Sequence, residues 1–261
     1  MKILVTVTEV AEADDEFEIS GTSIADQYLT YDLNEWDDYA IEEAVQLSEE
    51  HDDIEVVTVT FGAERVEETI RTALAKGADR AIRVWDDSFE GKTVLDPSQK
   101  AELLAGVVEE EDPDLVLSGV QSGDVAIGAT GVALAENIGY EWAAVVNQLD
   151  LDRDSGVASI HRELEGGVEE LTDVELPAVL TIQTGINEPR YASLRGIRQA
   201  QSKPLDVMSP DDIGVEVGES AIELTELVEP ESESDTELFE GSAEEAAGQL
   251  AEYLREQGVG A

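Results

Sequence analysis

The chain has 261 residues, of which 42% are hydrophobic and none is cysteine, and its 62 Asp and Glu outnumber its 15 Lys and Arg to give a net charge of −47. That length and apolar content allow one large domain with an appendage, while the lack of cysteine excludes disulfide and thiolate chemistry. The acidity excludes a nucleic-acid binder, which needs cationic contacts to phosphates; because the acids are spread among regular apolar runs, it indicates a salt-adapted, halophilic surface rather than disorder or a nucleic-acid mimic.

The first apolar run, Ile3–Thr8, opens close to the N-terminus without the layout of a signal peptide. No apolar run reaches the length of a membrane span. We therefore expect a cytoplasmic protein that is not embedded in a membrane.

Strand-like and helical segments alternate through the first two-thirds of the chain. In chain order they are strand Ile3–Thr8, helix Trp36–Glu50, strand Ile54–Phe61, helix Ala63–Lys76, strand Ala81–Trp85, a helix that opens at Asp96 and Pro97, strand Leu115–Leu117, a helix through Ala133 and Ile138, and strand Val179–Ile182. Asn34 is the predicted N-cap of the first helix, and Gly77 ends the second. This alternation predicts an α/β fold with helices on both faces of a doubly wound, mostly parallel sheet.

The pattern changes near residue 143. The segments Ala143–Asp152, Gly156–Glu163 and Val168–Val174 predict antiparallel strands joined by turns. Beyond Pro204 the chain becomes acidic and less regular. We therefore predict an α/β domain at 1–205.

An acidic C-terminal arm at 206–261 follows. It contains a linker at 229–237, which is poor in apolar residues, and a terminal helix at 242–257. Ser242 and Glu245 have the spacing of a capping box at the start of that helix. The sequence favours equally a helix that packs on its own domain and one that packs on a partner subunit.

A glycine-rich segment follows the predicted strand Leu115–Leu117, with glycines at 119, 123, 128 and 131, and leads into a helix. Glycines let the backbone approach a phosphate, and the free amides at a helix start donate to it. The hydroxyl of Ser122 or Thr130 would add a contact. The spacing matches neither the P-loop nor GxGxxG. The residues alone therefore leave nucleotide binding and an ordinary tight strand–helix turn equally open.

The loop contains no lysine to neutralise charge in phosphoryl transfer. A bound, unreacted nucleotide therefore fits these residues better than a hydrolysed one. Neither histidine, His51 or His161, lies in a motif, and we expect a structural or solvent role for each. We predict no catalytic residue and no metal site.

Residues 187–205 form a basic island on this acidic chain. They contain Arg190, Arg195, Arg198 and Lys203 with a single acid, and Tyr191, Leu194 and Ile197 lie among them. Cations and apolar side chains in one stretch indicate a surface for a partner. The alternative is a helix that packs Leu194 and Ile197 on the core.

Three separated segments resemble sequence blocks of electron transfer flavoprotein beta subunits: 34–44, 64–80 and the basic island 187–205. The glycine loop has the family's spacing from Gly119 to Thr130 and Gly131. The resemblance covers about residues 1–205, and together with the acidity it points to a halophilic, archaeon-like source. It implies a Rossmann-like fold of the adenine nucleotide-binding type.

The resemblance implies an electron carrier rather than an enzyme. In this family the beta subunit pairs with an alpha subunit that holds most of a redox-active FAD, and it binds an AMP that has no redox role. In the electron-bifurcating branch a second FAD takes the AMP site. The implied cofactor contacts are Thr6, Asn34, Glu35, Trp36, Asp37, Phe61, Gly119, Val120, Gln121, Ser122, Gly123, Asp124, Gly128, Thr130 and Gly131.

The resemblance also makes 187–205 a recognition loop that docks acyl-CoA or other dehydrogenases, whose electrons pass to a membrane quinone oxidoreductase. Leu194 takes the anchoring apolar position. The implied docking residues are Arg190, Tyr191, Leu194, Arg195, Ile197 and Arg198.

The chain departs from the family pattern near the nucleotide. Glu35 stands where proline is usual, Val120 replaces a basic residue, and Ser122 with Gly123 replaces an alanine–aliphatic pair. AMP and a second FAD therefore both stay open as the ligand. Two further hypotheses are an α/β enzyme that binds ATP and hydrolyses it or adenylates a substrate, and a stress-type ATP-binding homodimer.

Overall fold

The computed structural model describes residues 1–51, 53–89, 96–216, 218–229 and 237–258, in two compact units, Met1–Leu227 and Val228–Ala261. The strands are β1 (Lys2–Thr6), β2 (Glu9–Ala13), β3 (Ile19–Ser20), β4 (Ser23–Ile24), β5 (Leu29–Leu33), β6 (Glu55–Phe61), β7 (Arg80–Val84), β8 (Leu115–Gly119), β9 (Glu141–Asp152), β10 (Val157–Leu164), β11 (Val168–Glu175), β12 (Ala178–Ile182) and β13 (Leu205–Met208). The α-helices are α1 (Glu35–Glu50), α2 (Glu67–Lys76), α3 (Pro97–Glu111), α4 (Thr130–Ile138), α5 (Leu194–Ala200) and α6 (Ala243–Glu256).

The first unit is built on one nine-stranded sheet in the order β11-β10-β9-β12-β8-β1-β6-β7-β13. In that order, each pair of neighbouring strands from β9 through β12, β8, β1, β6 and β7 to β13 runs parallel. The pairs β9–β10 and β10–β11 run antiparallel. The predicted α/β fold with a mostly parallel sheet and an antiparallel region is confirmed. The chain winds outward from β1 to β6 and β7 and then returns to β8 on the other side. The carboxyl ends of β1 and β8 therefore form a topological switch point, where α/β sheets bind ligands.

Both faces of the sheet are covered, as the alternation of strands and helices predicts. Successive side chains of β1 point to opposite faces. Ile3 and Val5 join a core that includes Ile41 of α1, and Leu4 joins a second core with Leu104 of α3. Burial of each such aliphatic side chain stabilises the fold by about 1.5–3 kcal/mol. The two cores hold β1 and its neighbours rigidly beneath the switch point.

Helix boundaries follow local chemistry. At the start of α3, the Asp96 carboxylate accepts a hydrogen bond from the Gln99 amide at 2.9 Å, and Pro97 occupies the first position, as predicted. Gly77 ends α2 at φ +146°, which also agrees with the prediction. The first turn of the predicted helix Ala63–Lys76 is a 3₁₀ turn at Glu64–Val66.

Several elements were not predicted. Between β1 and α1, β2 pairs with β5 and β3 pairs with β4 to form two small antiparallel hairpins. The edge strand β13 pairs with β7, and the boundary predicted at residue 205 coincides with its start, whereas the first unit continues to Leu227. The antiparallel strands were predicted, but β9 also runs parallel to β12. The antiparallel region is therefore an extension of the main sheet.

The second unit contains α6. The Ser242 hydroxyl accepts from the Glu245 amide at 3.3 Å, and the Glu245 carboxylate accepts from the Ser242 amide at 2.9 Å, which confirms the predicted capping box. The rings of Phe239 and Tyr253 lie 5.8 Å apart within this unit. Most of the predicted linker, residues 230–236, lies outside the described residues. Within the described ranges, no helix combines the length and apolarity needed to cross a bilayer.

Candidate functional site

A cavity of about 230 Å³ lies at the switch point. The carboxyl ends of three parallel strands meet there, and they contribute Thr6 from β1, Phe61 from β6 and Gly119 from β8. The loop after β8 and the first turns of α3 complete the wall. The fold thus places the predicted glycine loop at the edge of the sheet where ligands bind.

Gly119 is held against the start of α1. Its amide donates to Asp37 Oδ1 at 3.0 Å, and the amide of Thr8 donates to Asp37 Oδ2 at 2.8 Å. A Cβ at position 119 would lie 2.5 Å from Asp37 Oδ1 and 2.7 Å from Trp36 Cβ. Since real Cβ atoms do not approach so closely, only glycine fits, and the Asp37 carboxylate joins the ends of β1 and β8.

Asp37 is a buried acid in an unusual electrostatic position. Burial raises the pKa of its carboxyl to about 6, although hydrogen bonds from Asn34, Thr8 and Gly119 oppose the rise. The carboxylate is therefore ionised at neutral pH at an energetic cost. The same charge holds two backbone amides in place at the rim of the cavity.

Asn34 fixes the glycine loop. It occupies the predicted N-cap position of α1, but its side chain makes no capping hydrogen bond. Instead, its Nδ2 donates to the Gln121 carbonyl at 2.9 Å, and its Oδ1 accepts from the Gly123 amide at 3.2 Å. The residue is only 1% exposed. Asn34 thus acts as a two-point clamp on the loop rather than as a helix cap.

The loop leads into the amino end of α4 at Thr130. The residue at the N-cap position, Ala129, has no side chain that accepts a hydrogen bond from the first turn. The free amides of that turn form the positive end of the helix dipole, and they suit an anion. Gly128 has φ +66°, which lets the loop turn sharply before the helix.

Lys100 supplies a positive charge that the sequence reasoning missed. It lies on α3, and it is the only cation among the described residues that line the cavity. In the described part of the chain, its ammonium has no hydrogen-bond or ion-pair partner. Burial lowers the pKa of this ammonium, and the charges of Asp124 and Asp37 partly oppose that effect. One feature could have indicated that Lys100 lies at the cavity: α3 begins at the same edge of the sheet as the glycine loop.

The remaining wall is apolar. Val59 and Phe61 of β6, Leu104 of α3, and Val125 and Ile127 of the loop all line the cavity. An apolar wall beside backbone amides and one cation suits a ligand that combines a flat, weakly polar ring with an anionic group. An adenine nucleotide has that composition. Among the described residues, no group of His, Cys, Asp and Glu has the arrangement of a metal site.

The structure brings most of the predicted cofactor residues together. The predicted residues that line the cavity are Thr6, Asn34, Asp37, Phe61, Gly119, Val120, Gln121, Ser122, Asp124, Gly128 and Thr130. Four others lie outside its wall: Glu35, Trp36, Gly123 and Gly131. Trp36 donates from its indole to Gln183 at 3.0 Å, and Gly131 packs closely on Thr181 of β12. These two residues contact elements that surround the cavity.

Two cations of the basic island have internal roles. Arg190 forms ion pairs with Glu42 at 2.8 Å and with Glu49 at 2.6 Å, and these hydrogen bonds raise its pKa further above the ordinary range. Lys203 donates to the carbonyls of Leu74, Gly77 and Ala78 at the carboxyl end of α2. Arg190 and Lys203 therefore anchor the island to the domain.

The rest of the island faces solvent. Ser193 caps the short helix α5 by accepting from the Gly196 amide at 3.0 Å. Tyr191 is 97% exposed, Leu194 78% and Ile197 46%. A helix is present, as the core-packing alternative required, but it turns Leu194 and Ile197 outward. Arg195 and Arg198 are exposed beside them.

Comparison with known proteins gives a consistent result. The family model described as electron transfer flavoprotein domain matches residues 21–213. The chain is 44% identical over 264 residues to the electron transfer flavoprotein subunit beta of Methylophilus methylotrophus, with 98% of each chain covered. It is 36% identical over 219 residues to the subunit beta of Homo sapiens, with 83% of this chain and 84% of that protein covered. It is 32% identical over 255 residues to the subunit beta of Syntrophomonas wolfei, with coverage of 98% and 96%.

Proposed function

Since the chain belongs to the family of electron transfer flavoprotein beta subunits, we propose that it forms a heterodimer with an alpha subunit and binds AMP at the switch-point cavity. The redox-active FAD is held mainly by the alpha subunit. Electrons enter from acyl-CoA or other dehydrogenases and leave to a membrane quinone oxidoreductase. The beta subunit scaffolds this transfer and makes or breaks no bond itself.

The cavity carries the AMP part of the proposal. Its rim is a glycine loop fixed by Asn34 and Asp37, so the loop amides are oriented before a ligand arrives. Preorganised donors and the start of α4 suit a phosphate. The apolar residues of β6 and the loop suit an adenine ring. When bound, the nucleotide would join β1, β6 and β8 at their carboxyl ends and stabilise this edge of the domain.

Two alternatives concern the same cavity. A second FAD in place of AMP would make the protein a subunit of the electron-bifurcating branch. An ATP-hydrolysing α/β protein would need groups that stabilise phosphoryl transfer. Lys100 is the one cation among the described lining residues, which also include three acids, Glu9, Asp37 and Asp124. This balance favours a bound nucleotide that does not react.

Co-expression tests the proposal as a whole. The chain is produced with an alpha subunit of the same family in molar KCl, and the purified product is examined by visible spectroscopy and by size. The proposal requires a yellow heterodimer. A colourless homodimer that turns over ATP would contradict it and would support the stress-type or enzymatic alternative.

We also propose that the exposed part of the island docks dehydrogenases, with Leu194 as its apolar anchor. Burial of one leucine side chain in a partner pocket contributes about 1.5–3 kcal/mol, which suits a small, transient contact. Arg195 and Arg198 lie beside it to meet an acidic partner. Arg190, which the resemblance also implied, is engaged with Glu42 and Glu49 and contributes by holding the segment in place.

Leu194→Ala should lower kcat/KM for electron transfer from an acyl-CoA dehydrogenase by about tenfold, because most of the anchoring side chain is lost. The flavin content should not change. Leu171→Ala is the matched control, since Leu171 is 79% exposed on β11, the edge strand of the sheet opposite β13. If Leu194→Ala instead loses flavin, Leu194 serves folding or subunit pairing, and the docking role is wrong.

Finally, we propose that the acidic surface is an adaptation to molar salt. A net charge of −47 repels itself at low ionic strength, whereas at molar salt the Debye length falls to about 3 Å and the repulsion is screened. The melting temperature should therefore rise strongly from low to molar KCl. A melting temperature that stays constant over that range would contradict the adaptation.

A further inference from the structure

We propose that Lys100 is the residue that pairs with the phosphate of the bound nucleotide and that it thereby selects a phosphorylated ligand. The assignment rests on the proposed function, because it takes an adenine nucleotide as the ligand of the cavity. It adds a recognition residue from α3, an element outside the glycine loop. Lys100 lies in the first turns of that helix, which begins at Pro97.

Within the described part of the chain, Lys100 is the one cationic side chain at the cavity. The loop from Gly119 to Gly131 contains neither lysine nor arginine. Among the described residues that line the cavity, Lys100 is the only cation, and no described side chain or carbonyl pairs with its ammonium. Most other partly buried cations that the structure describes have partners, such as Arg80 with Glu55 and Glu111. A half-buried ammonium without a partner is poised for an anion from outside the chain.

The acids around the cavity are already engaged. Glu9 pairs with Arg65 and accepts from the Thr69 hydroxyl at 2.9 Å, and Asp37 holds two backbone amides. Asp124 acts on Lys100 at longer range and does not lie in ion-pair contact with it. Lys100 is therefore free to meet a ligand, whereas Glu9 and Asp37 are held in internal contacts.

The physical need for this charge is strong. At low ionic strength, a phosphate that approaches a protein with a net charge of −47 meets a repulsive field. At molar salt that field is screened, and only charges at contact distance act on the phosphate, so distant cations contribute nothing to its binding. A charge-assisted hydrogen bond from a partly desolvated ammonium is among the strong contacts available. Burial, which lowers the pKa of free Lys100, also makes its neutralisation by a phosphate favourable.

The test compares AMP with adenosine, which lacks only the phosphate. Both affinities are measured by equilibrium dialysis on the nucleotide-depleted heterodimer in molar KCl, for the wild type and for Lys100→Met, Lys100→Arg and Arg255→Met. Lys100→Met should bind AMP about 10- to 100-fold more weakly and adenosine within about twofold of the wild type. Lys100→Arg should retain most of the AMP affinity. Arg255→Met makes the same charge change at an exposed site on α6 and should match the wild type.

Two results would overturn the assignment. One is a Lys100→Met protein that binds AMP as tightly as the wild type. The other is an equal loss for AMP and adenosine, which would give Lys100 a role in shaping the cavity. Should Lys100→Met not fold, Lys100→Gln carries the same expectations. Failure of the proposed function would be seen separately, in a wild-type heterodimer that binds neither AMP nor a dinucleotide. That result would overturn the assignment of Lys100 as well.

Discussion

Replacement of Asn34 separates two roles for the same side chain. The sequence places Asn34 at the N-cap of α1, where a side-chain oxygen usually accepts from the first turn. In the structure it instead contacts the Gln121 carbonyl at 2.9 Å and the Gly123 amide at 3.2 Å. A capping role predicts that Asn34→Ser is tolerated, because serine is a good N-cap. A clamping role predicts that it fails, because the serine hydroxyl is too short to reach both loop groups.

The magnitude follows from the two hydrogen bonds. Each contributes about 0.5–1.5 kcal/mol net, so loss of both should destabilise the ordered loop by about 1–3 kcal/mol. Asn34 is 1% exposed, so water does not readily replace these bonds. If the loop must then be ordered by the ligand, AMP affinity falls by the same free energy, or about 5- to 150-fold. Asn34→Asp should be worse still, because it loses the donor to Gln121 and adds a charge next to Asp37.

The assay is isothermal titration of AMP into nucleotide-depleted heterodimers that carry Asn34→Ser, Asn34→Ala or Asn34→Asp, together with urea unfolding in molar KCl. The clamp predicts weak AMP binding in all three variants. An Asn34→Ser protein with wild-type affinity and wild-type stability would refute the clamp and restore the capping interpretation.

Two further predictions concern the contact between β8 and α1. Gly119→Ala should weaken AMP binding at least about tenfold and destabilise the fold by about 1–3 kcal/mol, because its Cβ would collide with Asp37 and Trp36. Gly248→Ala in α6, where space is open, is the control. Equal AMP affinity and equal unfolding free energy of the two variants would refute the collision. For Asp37→Asn, the folded pKa of about 6 exceeds the ordinary 3.8. The folded state therefore binds this proton more tightly, and the unfolding free energy of wild type minus Asp37→Asn should fall by roughly 2 kcal/mol as pH rises from 4 to 7. A difference that is independent of pH in urea titrations would show that Asp37 ionises normally.

The long periodic segments could be predicted because their patterns are determined locally. Runs such as Ile54–Phe61 and Val179–Ile182 are rich in β-branched and apolar residues and lie on central parallel strands. The Asp96–Pro97 start of α3 has its own capping chemistry. The hairpin of β2 and β5 escaped prediction because acids interrupt its apolar residues. The edge strand β13 also escaped, since its four residues offer little pattern and its pairing with β7 is a long-range contact.

The site was predictable only as far as it follows the chain. Glycine spacing and the strand–helix turn indicated the loop, and family resemblance indicated Asn34 and Asp37, but their hydrogen-bonding partners depend on how α1 meets β8. Lys100 lies on a different element, and only the sheet order brings it to the cavity. In the basic island, charge alone did not distinguish Arg190, which is held by Glu42 and Glu49, from exposed Arg195.

The nucleotide content of the purified heterodimer tests the central claim most directly. Native mass spectrometry counts the ligands held by each intact complex, and denaturing extraction identifies them. The account predicts one FAD and one AMP for each alpha–beta pair. Two FAD molecules without AMP would contradict the AMP assignment and move the protein to the bifurcating branch. One FAD with no adenine nucleotide beside it would show that the switch-point cavity has a different purpose.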